Sequence, residues 1–473
     1  MASRTSHGRP MNVVVVVVDS LRSRSLGRAD TGGPRTPFLD WLGGHTLAFR
    51  RAYAAECWTL PSHVSMFTGL LPSDHGAHFQ TMAYQGAAPT VAEVLAKAGV
   101  RTEVITRNSL LDGTVPGVTR GFVANTRLLG EIGGRPATLL FGLLLAISKP
   151  RVRRLIRSSG FFHALQKENG TFLTTLARMG IPADQLVLDR ALERMAELRR
   201  ARSPYFLFLN LYDVHAPYSP QPGSPLASFR TIEGWLENLM LPWVLPRVSS
   251  HAYLRPGFRL AARSQAMLLG RYHRAIELMD RKLAAFHDAA RGAGLLEDTM
   301  LVVTSDHGEA FGDHELYFHD ASVYQTHLHV PLWIHHPDRA PAVVDDVVST
   351  RELCGLVRAV GTGRSLDGTL LDAAWRRGNP VALAEHFHYP FTDGLLPAYT
   401  QNLAAAIVGD RKAILRRDGL TCYDLSRDPD EAAPVALPIA EFEAACRRDG
   451  QPSDAIANAL AHLGRWERAA AVA

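Results

Sequence analysis

Three runs of apolar residues along the chain end abruptly in polar residues that can bind metals. The runs are Asn12–Val18, Tyr205–Tyr212 and Met300–Thr304. They are followed by Asp19, by Asp213-Val214-His215 and by Ser305-Asp306-His307-Gly308. Continuous apolar runs, rich in β-branched and aromatic residues, are typical of interior strands of a parallel sheet, and such strands deliver ligands at their carboxyl ends. The pattern predicts three strands whose last residues meet at one edge of a sheet.

Helical periodicity precedes the second and third of these strands. Apolar residues recur at helical spacing in two groups, Leu188, Leu192, Met195 and Leu198, then Tyr272, Ile276, Met279, Leu283 and Phe286. Strands that alternate with amphipathic helices are typical of a sheet with helices on its faces. We therefore expect an α/β sandwich with a large, mostly parallel sheet.

Two stretches interrupt this alternation, near 130–180 and 217–260. Each carries an apolar stripe at helical spacing, which most often belongs to a helix packed on the core. The alternative is a hydrophobic lid over the carboxyl edge of the sheet, for a bulky or lipid-like substrate. In the first stretch the apolar segment is followed by a basic one, Lys149–Arg154, so peripheral contact with a membrane surface is a further alternative.

Past about Gly378 the pattern changes to short strand-like runs, Val381–Ala384, Ala404–Val408 and Ala413–Leu415. The last part of the chain, to Ala473, is rich in alanine and has helical propensity. These features predict a separate, smaller C-terminal unit.

Composition limits the classes of function. The 473 residues are 47% hydrophobic, enough for one large domain with an appendage or for two domains. The formal charge of +5 is scattered along the chain, so we expect no nucleic-acid surface and only a modest attraction for anionic substrates.

Cysteine spacing and hydropathy bear on the location of the protein. The four cysteines are far apart, with no C-x-x-C pair, which favours a reducing, cytoplasmic setting over a disulfide framework or a zinc ribbon. No segment approaches the roughly 20 apolar residues of a membrane span. The Val13–Val18 run lacks the cleavage site of a signal peptide and is interpreted as a strand.

Three segments resemble the sulfatase family of the alkaline phosphatase superfamily. They are the nucleophile-like run Glu56–Gly69 (ECWTLPSHVSMFTG), the segment Ser305–Glu309 (SDHGE) with Phe311–His314 after it, and Leu420–Glu431 (LTCYDLSRDPDE). The resemblance runs from Asn12 to about Asp338 and resumes near Arg411–Glu431. It implies an alkaline-phosphatase-like sandwich over residues 10–375, containing both insertions, and a small antiparallel subdomain with a helical tail over residues 376–473.

Asp19, Asp306 and His307 offer a divalent metal ion oxygen and imidazole ligands from separate strands. In the resemblance, Asp19 matches the first metal aspartate, Ser20 stands where many sulfatases have a second aspartate, and His307 replaces a common asparagine. With the hydroxyl of Thr59 as a further ligand, this set favours zinc or manganese at least as strongly as calcium. One ion is expected. A second ion, held by Asp213, His215, His314 or His319, stays open.

Thr59 occupies the position of the family's nucleophile. A hydroxyl becomes a good nucleophile when a dication lowers its pKa, and Pro61 suits the first turn of a helix whose N–H groups can face an anion. Sulfatases carry there a cysteine that is oxidised to formylglycine, whereas Cys57 lies two positions earlier and is expected to be a small buried side chain. A threonine at this position resembles the nucleophile of the phosphodiesterase, nucleotide pyrophosphatase and phosphotransferase branches, which implies phosphoryl chemistry. The alternative is that Thr59 only caps the helix.

Three histidines complete the predicted catalytic set. His215 matches a family histidine that binds ester oxygens or protonates the leaving group. His63 replaces an arginine that steadies the nucleophile, and His319 stands near the family's substrate-binding lysine.

The sequence thus predicts a metal-dependent hydrolase of a small or lipid-like phosphate ester or diester, with a covalent Thr59 intermediate. A sulfate ester is the less favoured substrate. Two further alternatives are a transferase that passes the same group to an alcohol, and a catalytically silent binding protein on the sulfatase scaffold.

Overall fold

The computed structural model of the protein describes residues 9–124, 183–216, 218, 257–319, 321–388 and 400–472. Apart from Tyr218 and residues 257–260, the stretches near 130–180 and 217–260 lie outside these ranges. Their interpretation as packed helices, a lid or a membrane contact stays a prediction.

A mostly parallel sheet of eight strands forms the centre of the fold. Its strands are β1 Asn12–Val18, β2 Leu47–Tyr53, β3 Arg101–Thr106, β4 Val123–Ala124, β5 Tyr205–Leu211, β6 Thr299–Thr304, β9 His329–His335 and β10 Ala342–Ser349. Their spatial order is β10-β2-β9-β6-β1-β5-β3-β4. Only β9 runs antiparallel to its neighbours within the described sheet. A separate hairpin pairs β7 Ala310–Phe311 with β8 Tyr317–Phe318. The predicted mostly parallel sheet is confirmed.

The register of the central strands places their carboxyl ends side by side. Val18 of β1 pairs with Leu211 of β5, and Val17 pairs with Thr304 of β6. All three predicted strands exist; β5 ends one residue earlier than expected, and β6 begins one residue earlier. The residues after these strands therefore leave the sheet at one edge.

Eleven α-helices are described. They are α1 Pro37–His45, α2 Thr59–Thr68, α3 Pro72–His75, α4 Val91–Lys97, α5 Ala183–Arg200, α6 Ala262–Gly292, α7 Gln325–Leu328, α8 Leu353–Thr362, α9 Ala373–Gly378, α10 Ile439–Arg448 and α11 Ser453–Val472. The two helical segments predicted by periodicity correspond to α5 and α6.

The valines of β1 explain why helices cover both faces of the sheet. Val14, Val16 and Val18 pack in one hydrophobic cluster with side chains of α5 and α6. Val13, Val15 and Val17 pack in another with side chains of α2, α4 and α8. Successive residues of a strand point to opposite faces, so the uninterrupted valine run Val13–Val18 is buried on both sides.

The C-terminal unit contains a second, antiparallel sheet. Its strands are β11 Val381–His386, β12 Leu403–Val408, β13 Arg411–Arg416, β14 Gly419–Asp424 and β15 Val435–Ala436, in that order. Helices α10 and α11 contribute to its hydrophobic cluster. The backbone N–H of Glu385 donates to the carbonyl of Ala55 at 3.0 Å. The antiparallel subdomain is confirmed, and this bond ties it to the chain between β2 and α2.

The described residues contain neither a membrane-spanning helix nor a disulfide. None of their helices combines the length and the apolar character that a membrane crossing needs. The four cysteines are buried, and no disulfide joins them.

Candidate active site

Four of the predicted residues converge at the carboxyl edge of the central sheet. Asp19 follows β1, and Asp306 and His307 follow β6. Thr59 lies at the start of α2, after the connection from β2. One ligand atom from each of Asp19, Asp306 and His307 lies within 4.8 Å of the others. The Thr59 hydroxyl lies 3.5 Å from Asp19 Oδ2 and 3.5 Å from His307 Nε2. The site therefore brings a hydroxyl against one carboxylate and an imidazole of a cluster that contains a second carboxylate.

Thr59 is the first residue of α2 rather than its cap. The N-cap is Trp58, whose backbone is extended (φ −146°, ψ 166°) and whose side chain makes no capping bond. Pro61 lies in the first turn, as expected. At the other end of the helix, Gly69 has a left-handed φ of 76°. Because the Thr59 side chain does not cap the helix, its hydroxyl is left to face Asp19 and His307.

Burial and mutual repulsion dominate the electrostatics of the two carboxylates. Asp19, Asp306 and His307 are each 0% exposed. Burial raises the pKa of Asp19 to about 6, with the nearby charge of His319 opposing the rise. Burial, and then the charge of Asp19, raise the pKa of Asp306 well above its usual value. Two buried carboxylates that repel each other are a favourable place for a cation.

The donor set fits a divalent metal ion. Asp306 Oδ2 is buried and has no hydrogen-bond partner among the described residues. His307 Nε2 lies 3.4 Å from that oxygen, while His307 Nδ1 lies 2.9 Å from the carbonyl of Gly308. A proton on Nδ1, donated to this carbonyl, leaves Nε2 as the ligand atom. Burial lowers the pKa of His307 well below its usual value, which keeps the ring neutral for binding.

Ser20 supports the carboxylates instead of replacing the missing second aspartate. Its backbone φ is 65°, a left-handed conformation that is uncommon outside glycine. Its N–H donates to Asp306 Oδ1 at 3.2 Å, and its hydroxyl donates to Asp19 Oδ1 at 3.1 Å. Ser20 thus fixes one oxygen of each carboxylate and leaves the other available.

Gly308 allows the chain after His307 to pass close to α7. A Cβ at this position would lie 2.0 Å from the carbonyl oxygen of Thr326. The backbone N–H of Gly308 donates to the carbonyl of His327 at 2.7 Å. Any larger residue would move the loop that holds Asp306 and His307.

His63 lies under the nucleophile turn and not beside the Thr59 hydroxyl. Its Nδ1 lies 2.8 Å from the backbone carbonyl of Thr59 and 3.5 Å from Asp306 Oδ2. The ring is fully buried, and burial lowers its pKa to about 4. A neutral ring with the proton on Nδ1 donates to the Thr59 carbonyl. His63 can therefore steady the turn without contacting the hydroxyl.

His215 and His319 form a row of imidazoles with His307. The rings of His307 and His319 stack with centroids 4.3 Å apart, and the His319 and His215 centroids are 4.8 Å apart. His319 Nδ1 lies 3.2 Å from Glu309 Oε1, and His215 stacks on Tyr212. The structure thus places both predicted histidines next to the ligand set.

Two residues considered for a second ion lie in other settings. Asp213 pairs with Lys282 and lies 3.9 Å from Arg107, so its charge is already balanced. His314 stacks on Tyr324, with ring centroids 3.7 Å apart. Among the described residues, the one cluster of metal-type ligands at this edge is Asp19, Asp306 and His307.

Sequence reasoning missed three residues that hold the site together. Asn108 donates to Asp19 Oδ2 at 3.2 Å, and Ser62 donates to the backbone carbonyl of Asp306 at 2.7 Å. Asn210 Nδ2 lies 3.5 Å from His63 Nε2. Asn108 follows the end of β3. If Arg101–Thr106 had been identified as a strand, Asn108 would have been predicted to lie at the carboxyl edge of the sheet, as Asp19 was.

Comparison with known proteins finds a matching family model, related proteins and a solved structure of similar fold. The family model described as Sulfatase matches residues 11–355. Arylsulfatase K from Bos taurus is 23% identical over 458 residues, which cover 91% of this chain and 79% of that protein. Choline-sulfatase from Rhizobium meliloti (strain 1021) is 24% identical over 351 residues, covering 71% and 64% respectively. The crystal structure of phosphonate monoester hydrolase from Agrobacterium radiobacter shares the fold, with a TM-score of 0.59, 20% identity and coverage of 93% and 94%.

Proposed function

The chain belongs to the sulfatase family of ester hydrolases, and on this premise we propose that it is a metal-dependent hydrolase that cleaves an anionic phosphate ester or diester through Thr59. The observation that carries the proposal is the position of the Thr59 hydroxyl. It lies 3.5 Å from both Asp19 and His307, at the start of a helix and beside the buried Asp306. A hydroxyl in this position has the surroundings of an activated nucleophile.

A divalent cation held by Asp19, Asp306 and His307 would lower the pKa of the Thr59 hydroxyl and offset the negative charge of the ester. Thr59 Oγ1, which would lose its proton to solvent when the cation is bound, then attacks phosphorus. The Oγ1–phosphorus bond forms as the bond to the leaving alkoxide breaks. Backbone N–H groups of the first turn of α2 stabilise the ester oxygens.

The leaving alkoxide needs a proton, and the row of histidines can supply it. His319 stacks on His307, and His215 packs against His319. Either imidazole can protonate the leaving group and then accept a proton from the water that attacks the phospho-threonine. Breaking the Oγ1–phosphorus bond releases phosphate, or the remaining monoester, and restores Thr59.

Sulfate esters are the second candidate substrate. The names of arylsulfatase K and choline-sulfatase favour them. Against them stands Thr59 itself, because this chain has threonine where formylglycine sulfatases have cysteine. We place phosphate first for this reason, and a transferase that uses the same phospho-threonine would differ only in the acceptor.

The proposal is tested with a panel of aryl phosphate monoesters, diesters, phosphonates and sulfates. Protein treated with a chelator is reloaded with zinc, manganese or calcium, and each substrate is assayed. Metal-dependent turnover of a phosphate ester or diester, with free phosphate or monoester as the product, supports the proposal. Turnover confined to sulfates, or turnover indifferent to chelation, would overturn it. Products that contain an added alcohol acceptor would instead identify a transferase.

A further inference from the structure

A second cluster of buried metal-type ligands lies on the other side of the nucleophile turn. It consists of Glu56 and Cys57, which precede Thr59, and His386, which ends β11 of the antiparallel sheet. One ligand atom from each lies within 4.8 Å of the others. The three residues are at most 1% exposed. The catalytic proposal uses none of them.

Of the two separations in this cluster, the distance between Cys57 and His386 matches that between ligands of one small cation, and the distance between His386 and Glu56 is shorter. Cys57 Sγ lies 3.4 Å from His386 Nδ1, which lies 2.9 Å from Glu56 Oε1. Around a tetrahedral zinc ion with Zn–S about 2.3 Å and Zn–N about 2.0–2.1 Å, neighbouring ligand atoms are about 3.3–3.6 Å apart. Small adjustments of side chains would place the three atoms around one ion.

Hydrogen bonds alone leave this cluster incompletely satisfied. With a single proton, His386 Nδ1 can form a hydrogen bond with either the Cys57 thiol or the Glu56 carboxylate, but not with both. Glu56 Oε2 and His386 Nε2 are buried and have no hydrogen-bond partner among the described residues. Glu56 Oε1 accepts a hydrogen bond from the Cys57 backbone N–H at 2.8 Å, and the ion-pair partner of Glu56 among the described residues is His386. Burying the second oxygen of this carboxylate without a donor is costly.

We propose that Glu56, Cys57 and His386 form a second metal site, which binds a thiolate-preferring dication such as Zn²⁺. Zinc takes thiolate, imidazole and carboxylate ligands together, whereas calcium and magnesium take oxygen. Binding deprotonates the Cys57 thiol, and the proton leaves to solvent. Glu56 Oε2 or a water molecule completes the coordination.

The site joins two parts of the fold that meet at Thr59. Glu56 and Cys57 belong to the turn that carries the nucleophile, and His386 belongs to the C-terminal sheet. Trp58 stacks on Phe79, with centroids 3.8 Å apart, and Phe79 packs edge-on against His386. Because its ligands come from the turn and from the C-terminal sheet, a bound ion would link the two. Its role is to fix the turn, not to contact substrate.

The test uses the full chain, treated with a chelator and then loaded with Co²⁺ or Zn²⁺. A cobalt ion bound by a cysteine thiolate gives a charge-transfer absorption in the near ultraviolet, and one bound only by oxygen and imidazole does not. We expect this band in the parent and in Asp306→Asn, which alters only the catalytic ligands. Cys57→Ala should abolish the band, and Cys446→Ala, which truncates another buried thiol, should keep it. With zinc, Cys57→Ala should bind about one ion fewer per chain than the parent.

Two results would overturn the second site. One is a folded, cobalt-loaded parent without the thiolate band, which needs no variant to observe. The other is a band that survives Cys57→Ala. His386→Gln gives an independent check that keeps the thiol, and it should weaken cobalt binding at this site by at least about 10-fold. These readouts do not involve turnover, so they test the second metal site independently of the hydrolase proposal.

Discussion

Two buried ligand clusters flank the turn before α2, and they differ in chemistry. Asp19, Asp306 and His307 lie at the carboxyl edge of the parallel sheet, with the Thr59 hydroxyl 3.5 Å from two of them. The cluster of Glu56, Cys57 and His386 has a thiol in place of one carboxylate and lies between the turn before α2 and the end of β11. The first arrangement suits a reacting site, because it places a hydroxyl beside the ligands. The second suits a structural link.

The short segment Glu56–Thr59 contributes residues both to the reacting site and to the proposed structural link. Glu56 and Cys57 lie on one side of Trp58, and Thr59 lies on the other, where the chain changes from extended to helical. An ion at either cluster would restrict the same turn. Variants that separate turnover from metal content and from stability therefore test whether the two clusters have different roles.

The largest effect is expected from Thr59→Ala. Loss of a nucleophile lowers kcat by about 10⁴–10⁶-fold in a hydrolase that uses covalent catalysis, and we expect a fall of this order in steady-state turnover. Thr68→Ala, at the other end of α2, is the matched control and should retain activity. Undiminished turnover by Thr59→Ala would remove Thr59 from the mechanism.

Asp306→Asn should have the next largest effect. It removes a charged ligand from the first cluster and leaves the second intact, so metal analysis should show loss of the catalytic ion with the cobalt–thiolate band retained. Turnover should fall by more than about 100-fold, since changes outside the ligand shell alone cost about 10–100-fold. Asp345→Asn, an exposed aspartate that is 68% accessible, is the control. Equal metal content in both variants would contradict the assignment of Asp306.

Asn108→Ala should have an intermediate effect. Its amide donates to Asp19 Oδ2, so its loss should weaken metal binding by about 10–100-fold, and excess metal should restore turnover. Titration of activity against zinc or manganese measures this shift. Asn458→Ala, on the exposed side of α11, should not alter the titration. A loss of turnover that no metal concentration restores would mean that Asn108 contacts the substrate.

The smallest effect on turnover is expected from Cys57→Ala. With zinc at about 100 times its Kd, the second site should stabilise the parent by about 2.7 kcal/mol, which Cys57→Ala would lose and Cys446→Ala would keep. Thermal unfolding with and without zinc measures the difference. Turnover should stay within about 10-fold of that of the parent, because 10-fold is the smallest loss usual when a residue that supports a metal site is changed. Equal zinc-dependent shifts in all three proteins would show that Cys57 binds no zinc.

The first cluster could be predicted from sequence because its residues follow strong local patterns. The all-valine run of β1 predicts a strand buried on both faces, and polar residues directly after parallel strands meet at one edge. Asp19, Asp306 and His307 all follow this rule. The confirmed α/β sandwich and antiparallel subdomain depend on the same patterns together with the family resemblance.

The second cluster had no such local pattern. Glu56 and His386 are 330 positions apart, the first in the turn before α2 and the second at the end of β11. Their contact depends on how the C-terminal sheet docks beside the turn, which hydrophobic periodicity does not encode. Cys57 was expected to be a small buried side chain, and it is buried; only the docking of β11 shows that imidazole and carboxylate surround it. The role of His63 beneath the turn likewise required coordinates.

Thr59 is proposed to carry the group that is removed from the substrate. The most direct measurement is mass spectrometry of metal-loaded protein that is quenched with acid during turnover of a labelled aryl phosphate ester, followed by peptide mapping. We predict a labelled phosphoryl group on the peptide Glu56–Gly69, at Thr59, and none in Thr59→Ala. Rapid turnover with no label on this peptide at any quench time, or label on a different residue, would contradict the account.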